Sequence, residues 1–209
     1  MAVPVFAVIN PKGGVGKTTL ATNLAGYCAR RHSTVLGDVD RQQSTVDWLR
    51  LRPNDVAPIV GWETHGTLLR PPAGASHVIV DTPAQINGWR LSDVVRVADR
   101  ILVPLQPSMF DIYATRRFLD ELQRCFGVSR RVEDCVAVVG MRVDARTRAA
   151  DQLARFVAGL GLPVAGYLRD TQFYVHLAAH GLTMFDVPAH RVQKDLQSWE
   201  PLLGWLKLH

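Results

Sequence analysis

Two lysines and three glycines share one short run. Residues 12–19 read Lys12-Gly13-Gly14-Val15-Gly16-Lys17-Thr18-Thr19. Counted from Pro11, the segment through Thr18 keeps the spacing of a phosphate-binding loop, with Pro11 where the first glycine usually stands. Gly13, Gly14 and Gly16 carry no Cβ, so backbone N–H groups can turn inward around phosphate oxygens. A helix beginning near Lys17 aims the positive end of its dipole at the same anion. In that geometry Lys17 reaches the β- and γ-phosphates and the Thr18 hydroxyl binds Mg²⁺. The plain alternative is a glycine-rich turn. The apolar run Val3–Ile9 before the loop and the unbroken Gly16-Lys17-Thr18 argue against it.

Carboxylates follow in an order that suits the same chemistry. Val78-Ile79-Val80-Asp81 is a buried-type apolar run that ends in an acid, the Walker B pattern, and Thr82-Pro83 comes next. Asp81 would hold Mg²⁺ through a water or through Thr18. Upstream, Gly37-Asp38-Val39-Asp40 closes another apolar run. An acid at a strand end that faces a metal–nucleotide is chemically apt for handling water. The bland alternative is an acidic turn.

These groups need a scaffold, and the rest of the chain supplies the signs of one. With 209 residues, 47% hydrophobic and 21% charged, the chain is expected to form one globular domain over 1–209 rather than a disordered or fibrous one. No apolar run reaches the length of a membrane span, and the start of the chain lacks the basic segment of a secretory signal. Cys28, Cys125 and Cys135 are too scattered for a disulfide framework and fit a reducing cytoplasm. Lys and Arg number 24 against 19 Asp and Glu, a net +5 that permits an acidic partner without requiring one. Only four of those cations are lysines, and two of the four sit in the glycine loop.

Apolar runs of strand length alternate with helical stretches. Strands are expected at Val3–Ile9, Thr34–Val39, from Val78 to Asp81, and at Ile101–Leu105, Val136–Val143 and Val164–Leu168. Helices are expected at Lys17–Arg31, Gln42–Leu51, Leu91–Ala98, Phe110–Phe126, Ala149–Leu160 and from Val187 onward. Residues 52–75 are the least regular. Alternating strands and helices with continuous apolar strands imply a doubly wound, mostly parallel α/β sheet with helices on both faces. Ligands of such sheets sit at the carboxyl ends of the strands.

The run Lys12–Thr19 resembles the deviant Walker A motif of the ParA/MinD superfamily, and Lys12 matches that family's additional lysine. The resemblance covers nearly the whole chain and points to the small ParA type. It implies a Mg²⁺-dependent ATPase whose ATP-bound form is a face-to-face homodimer, with Lys12 crossing to the partner's phosphates. By the same match, Asp38-Val39-Asp40-Arg41-Gln42 corresponds to the family's Asp-x-Asp-Pro-Gln segment. Asp40 then orients the attacking water and Asp38 supports the magnesium region, while Arg41 replaces the usual proline. The ATP contacts implied are Lys12, Gly13, Gly14, Val15, Gly16, Lys17, Thr18 and Thr19, with Pro107 and Asp111 beside the nucleotide and dimer interface and Met141 and Arg142 near the adenine. The metal set is Thr18, Asp38 and Asp81. Tyr167–Asp186, with Tyr174 and Gly181, is similar to small ParA proteins as well.

The family further implies non-specific DNA binding by the ATP dimer and a ParB-like or cargo-adaptor protein that stimulates hydrolysis, in a cytoplasmic, nucleoid-associated protein. Arg146, Arg148, Arg155, Arg191 and Lys194 are the candidate DNA contacts, each of which is otherwise an ordinary solvated charge. The alternative function is MinD-like membrane cycling through the C-terminal stripe Trp199, Leu202, Trp205 and Leu206. That stripe has Lys207 as its one basic neighbour and is expected to pack on the sheet. An iron–sulfur relative would need Cys125 and Cys135 as ligands, and both read as small hydrophobes.

Overall fold

The computed structural model describes residues 3–39, 44–63, 69–126, 131–144, 146–159 and 161–208. The strands are β1 (Val5–Val8), β2 (Thr34–Asp38), β3 (Val60–Glu63), β4 (His77–Asp81), β5 (Arg100–Leu105), β6 (Val136–Met141) and β7 (Val164–Leu168). The helices are α1 (Lys17–Ala29), α2 (Ser44–Leu51), α3 (Gly88–Val97), α4 (Met109–Cys125), α5 (Val132–Cys135), α6 (Arg148–Ala158), α7 (Phe173–Ala178) and α8 (Ala189–Trp205). The strands form one sheet in the order β3-β2-β4-β1-β5-β6-β7. Every pairing in it is parallel. That is the predicted doubly wound fold, with a sheet more uniformly parallel than the sequence required.

Alternation along β1 separates the two cores. Val5, Ala7 and Ile9 face the layer built from α3, α4 and α6, where Leu91, Leu122 and Leu153 are fully buried. Phe6 and Val8 face the opposite layer, where Leu20 and Leu24 of α1, Trp48 of α2 and Trp199 and Leu202 of α8 close the core. Two-sided coverage explains why the central strands read as unbroken apolar runs.

Three elements escaped the sequence reading. β3 lies inside the stretch judged irregular: it has four residues, Gly61 interrupts it, and Val60 points outward at 58% exposure. An edge strand that short shows no alternation. Helices α5 and α7 span four and six residues, too few to display a helical period. The C-terminal stripe packs as expected. Trp199, Leu202 and Leu206 are buried against the sheet, Trp199 Nε1 donates to the Tyr174 hydroxyl at 2.8 Å, and Arg100 stacks over Trp205. Those side chains are committed to the core, which tells against α8 as a membrane anchor. Among the described residues no helix is long and apolar enough to cross a membrane.

Register brings the acids together. Asp38 and Asp81 are direct partners across β2 and β4, and Asp81 in turn pairs with Val8 of β1. The chain leaves β1 toward β2 on one side of the sheet and later crosses to β5 on the other. The glycine loop therefore emerges at the point where strand order reverses, the usual ligand crevice of an open α/β sheet.

Candidate functional site

The glycine loop is held from three directions. Asn10 is fully buried at the end of β1; its Nδ2 donates to Pro104 O at 2.8 Å, and its Oδ1 accepts from Lys12 N at 2.8 Å. Gln85 N, after β4, donates to Pro11 O at 2.8 Å. Gln106 Nε2, after β5, donates to Gly14 O at 3.2 Å. Gly14 and Gly16 adopt φ of 74° and 95°, conformations that penalise a side chain. At Gly16 space is short too, since a Cβ there would lie 2.8 Å from Met141 Cε. Lys17 is 8% exposed, and its Nζ donates to Lys12 O at 2.8 Å, so the ammonium lies across the loop. Lys12 stands exposed at the loop's mouth.

Below the loop, Thr18 Oγ1 donates to Asp81 Oδ2 at 2.7 Å. Asp81 Oδ1 is buried and has no hydrogen-bond partner among the described residues. Burial pushes the Asp81 carboxyl up to about 7; the Thr18 hydrogen bond and the Lys17 charge pull the other way, and Asp38 adds to the rise. Asp38 is itself buried, and its Oδ2 accepts from Thr45 N at 3.0 Å and Thr45 Oγ1 at 2.5 Å. A buried carboxylate with one orphaned oxygen, beside a hydroxyl and a second acid, is short of positive charge. Hard oxygen donors of this kind suit Mg²⁺, which keeps several waters and takes one or two carboxylates. Thr18 and Asp81 are the residues placed to hold it, with Asp38 alongside.

A cavity of about 430 Å³ opens on the far side of the loop, against Val15, Gly16 and Thr19, a size ordinary for small-molecule sites. Met141 and Arg142 form part of its wall, joined by Arg169, Asp170, Gln172 and Tyr174. Arg142 takes φ of 55°, and its Nε lies 3.9 Å from Asp170 Oδ1. Pro107 is not one of these walls; from its segment the contact to the loop comes from Gln106. Asp40 and Arg41 lie outside the described residues, as does the side chain of Asp111.

Sequence reasoning missed Asn10, Thr45 and the wall residues Arg169, Asp170 and Gln172. An Asn ending a strand directly before a turn is a recognisable signal, since its amide readily bonds nearby backbone. Thr45 and the wall residues carry none, because they reach the site only through packing.

The candidate DNA contacts are not brought together. Arg146 is tied to Asp144, with Nε and Nη2 each 3.1 Å from a carboxylate oxygen, and holds that carboxyl down at about 2. Arg148 and Arg155 are exposed on α6, which packs on one face of the sheet. Arg191 and Lys194 are exposed on α8, which packs on the other. Cys125 and Cys135 are half-buried free thiols, Cys125 Sγ lying 3.4 Å from Glu121 O.

Residues 6–184 match the family described as CobQ/CobB/MinD/ParA nucleotide binding domain. Maintenance of carboxysome distribution protein A of Gloeobacter kilaueensis is 32% identical over 185 residues, covering 86% of this chain and 83% of that protein. Among solved structures, a putative plasmid partition protein from Borrelia burgdorferi bound to AMPPNP aligns with a TM-score of 0.75 at 13% identity, over 99% of both chains. The ATP complex of a Cyanothece McdA variant gives 0.73 at 14%, over 99% of this chain and 97% of that one. These structural likenesses establish a shared fold, and the extent of the family match establishes kinship: the chain belongs to the CobQ/CobB/MinD/ParA nucleotide-binding family.

Proposed function

We propose that this chain, acting as one unit over 1–209, is a ParA-type positioning ATPase: an ATP-driven switch that places a cargo inside the cytoplasm. The observation that carries the proposal is the division of labour between the two loop lysines. Lys17 lies buried across the loop, while Lys12 stands exposed at its mouth. An exposed cation beside a phosphate site can serve a second subunit, much as an arginine finger does. ATP then joins two copies face to face.

Within one subunit, the backbone of Gly13–Thr19 cradles the phosphates and Lys17 neutralises the β/γ oxygens. Thr18 and Asp81 hold Mg²⁺, which when bound offsets phosphate charge, and Thr45 fixes Asp38 beside them. Asp40 orients the attacking water. The nucleobase occupies the Met141–Arg142 cavity, with Pro107 and Asp111 toward the dimer interface.

The kinship with a protein named for carboxysome distribution supports a large protein assembly as cargo. The cargo is recruited in this proposal through an adaptor that stimulates hydrolysis. Non-specific DNA is the proposed track. Arg148 and Arg155, exposed together on α6, and Arg191 and Lys194, exposed together on α8, are its candidate contacts, with Arg146 beside the first pair.

The test is the ATPase rate of the purified chain with Mg²⁺, with and without non-specific duplex DNA, together with light scattering of Asp40→Ala in ATP. Slow turnover raised by DNA or adaptor, and an Asp40→Ala variant trapped as a dimer, are the expected results. A chain that binds ATP and stays monomeric in every nucleotide state is not this kind of switch.

A further inference from the structure

Helix α7 has a cavity on each side. Tyr174, Val175 and Ala178 face the 430 Å³ cavity beside the glycine loop. On the other side, between α7 and the start of α8, runs a groove of about 570 Å³. Thr171 and Gln172 line both spaces, so the two share a wall. The groove's surface is apolar where it is made by Phe173, Leu177, Leu182, Val187 and Val192, and Phe173 is 40% exposed. Its rim carries His176, His180 and Arg191.

No carboxylate lines this groove among the described residues. The acids nearby are engaged elsewhere. Asp186 is buried under Arg52 at 2.9 Å, Asp195 takes Arg169 at 2.9 Å, and Asp170 faces the other cavity. Lys194, exposed on α8, adds a second cation three residues beyond Arg191.

An apolar floor edged by the Arg191 cation, with Lys194 one turn along α8, selects the chemistry of its occupant. A nucleic-acid backbone gains nothing from Leu177, Val187 and Val192, because its affinity comes from phosphate contacts. An amphipathic segment uses both parts: aliphatic side chains fill the groove while acidic ones meet the rim. We propose that this groove docks a short acidic amphipathic segment of a partner protein, and that docking is coupled to nucleotide binding through α7. The helix has only six residues, and Trp199 Nε1 donates to the hydroxyl of its Tyr174 at 2.8 Å. An element so short with a cavity on each side shifts at small cost, and coupling through it is reciprocal. The coupling half of the inference rests on the nucleotide reading of the neighbouring cavity; the docking half does not.

The test starts from an unbiased displayed library of peptides of about 12 residues. It is selected on the full chain and counter-selected on Arg191→Glu and, separately, on Leu177→Asp. Arg191 is exposed, so its replacement leaves the core intact even where Leu177→Asp does not fold. Enriched sequences should combine several aliphatic residues with an excess of Asp and Glu. A synthetic representative should lose about tenfold or more in affinity by fluorescence anisotropy on Arg191→Glu, and weaken as salt rises. It should also shift the affinity of a fluorescent ATP analogue by roughly fivefold or more, with ATP shifting peptide affinity by the same factor.

Basic or sequence-indifferent enrichment, or binding indifferent to both substitutions, overturns the docking site. So does short duplex DNA that displaces the peptide and itself needs Arg191. Nucleotide affinity measured without peptide keeps the readings apart. Peptide bound by a chain that does not bind ATP sinks the nucleotide reading and the coupling but leaves the docking site. ATP bound by a chain that selects no groove-dependent peptide sinks the docking site alone.

Discussion

Thr18 and Asp81, 63 residues apart in the chain, meet through a 2.7 Å hydrogen bond from the threonine hydroxyl to Asp81 Oδ2. The bond joins the first turn of α1 to the last residue of β4 and leaves Asp81 Oδ1 buried without a hydrogen-bond partner among the described residues. Two positions that serve one metal in the proposed reaction are thus pre-arranged: β1 and β4 pair in parallel, and the glycine loop carries Thr18 from the end of β1 to Asp81 at the end of β4.

Asp81 makes stability depend on pH in a defined direction. Its carboxyl titrates near about 7 in the fold against an ordinary 3.8, because burial disfavours the charge. Between those values the folded chain holds a proton that the unfolded chain has released. The stabilisation is fully present below about pH 4 and is lost as pH rises through about 7. The upper limit is roughly 4 kcal/mol, from about 1.4 kcal/mol per unit. In EDTA, the urea midpoint should be lower at pH 8 than at pH 5, and Mg²⁺ should recover part of the loss at pH 8. Asp81→Asn should flatten the profile, raise the midpoint at pH 8 and abolish the Mg²⁺ response. A variant that tracks the parent at both pH values means that Asp81 is not desolvated as described.

The two lysines should separate binding from assembly. Lys17→Ala removes the cation that lies across the loop and should reduce ATP binding below detection by calorimetry. Lys12→Ala should keep most of the single-subunit affinity while losing ATP-driven dimerisation in sedimentation, and with it stimulated turnover. Lys12→Gln should behave alike, since it keeps length and loses charge. Full dimerisation and normal hydrolysis in Lys12→Ala would make that lysine an ordinary loop charge.

Arg52 and Asp186 form a buried pair whose loss should be costly. Their side chains are 5% and 2% exposed, with an Nη1–Oδ2 distance of 2.9 Å. Arg52 also donates to Ala57 O and Gly181 O, and Asp186 accepts from Thr183 N and Oγ1. The network ties the end of α2 to the loop packed on α1, where a Cβ on Gly26 would collide with Thr183. Removing one partner strands a desolvated charge, at about 3–5 kcal/mol. Asp186→Asn and Arg52→Met should each lower unfolding stability by that order. Replacing both with apolar residues should cost less than the sum. An Asp186→Asn midpoint equal to the parent's would show the pair to be solvated.

The cysteines should divide two to one. Burial pushes the Cys28 thiol up to about 12, whereas Cys125 and Cys135 are half-buried. Because the thiolate is the reactive form, a chromogenic disulfide reagent at pH 8 should titrate two thiols in the native chain and the third only in denaturant. Three thiols reacting at one rate would place Cys28 at the surface.

What the sequence determined by itself was whatever depends on neighbouring residues. The glycine loop was legible because its chemistry is compressed into Lys12–Thr19. Asp81 was legible because a buried strand ending in an acid is one continuous signal. The parallel two-faced sheet followed from unbroken apolar strands alternating with helices. Tertiary structure decided everything that depends on register and layer. It set Asp38 directly beside Asp81 and gave Asp38 a threonine, Thr45, whereas the pairing of Asp81 with Thr18 was already expected from the sequence. It recruited Asn10, Gln85 and Gln106 to hold the loop, and Arg169, Asp170 and Gln172 to wall the adjoining cavity. It also put Arg148 and Arg155 on one face of the sheet and Arg191 and Lys194 on the other, although all are basic, helical and exposed. The face a helix covers is set by the hand of its crossover and by the apolar stripe it must bury, and no single residue carries that information.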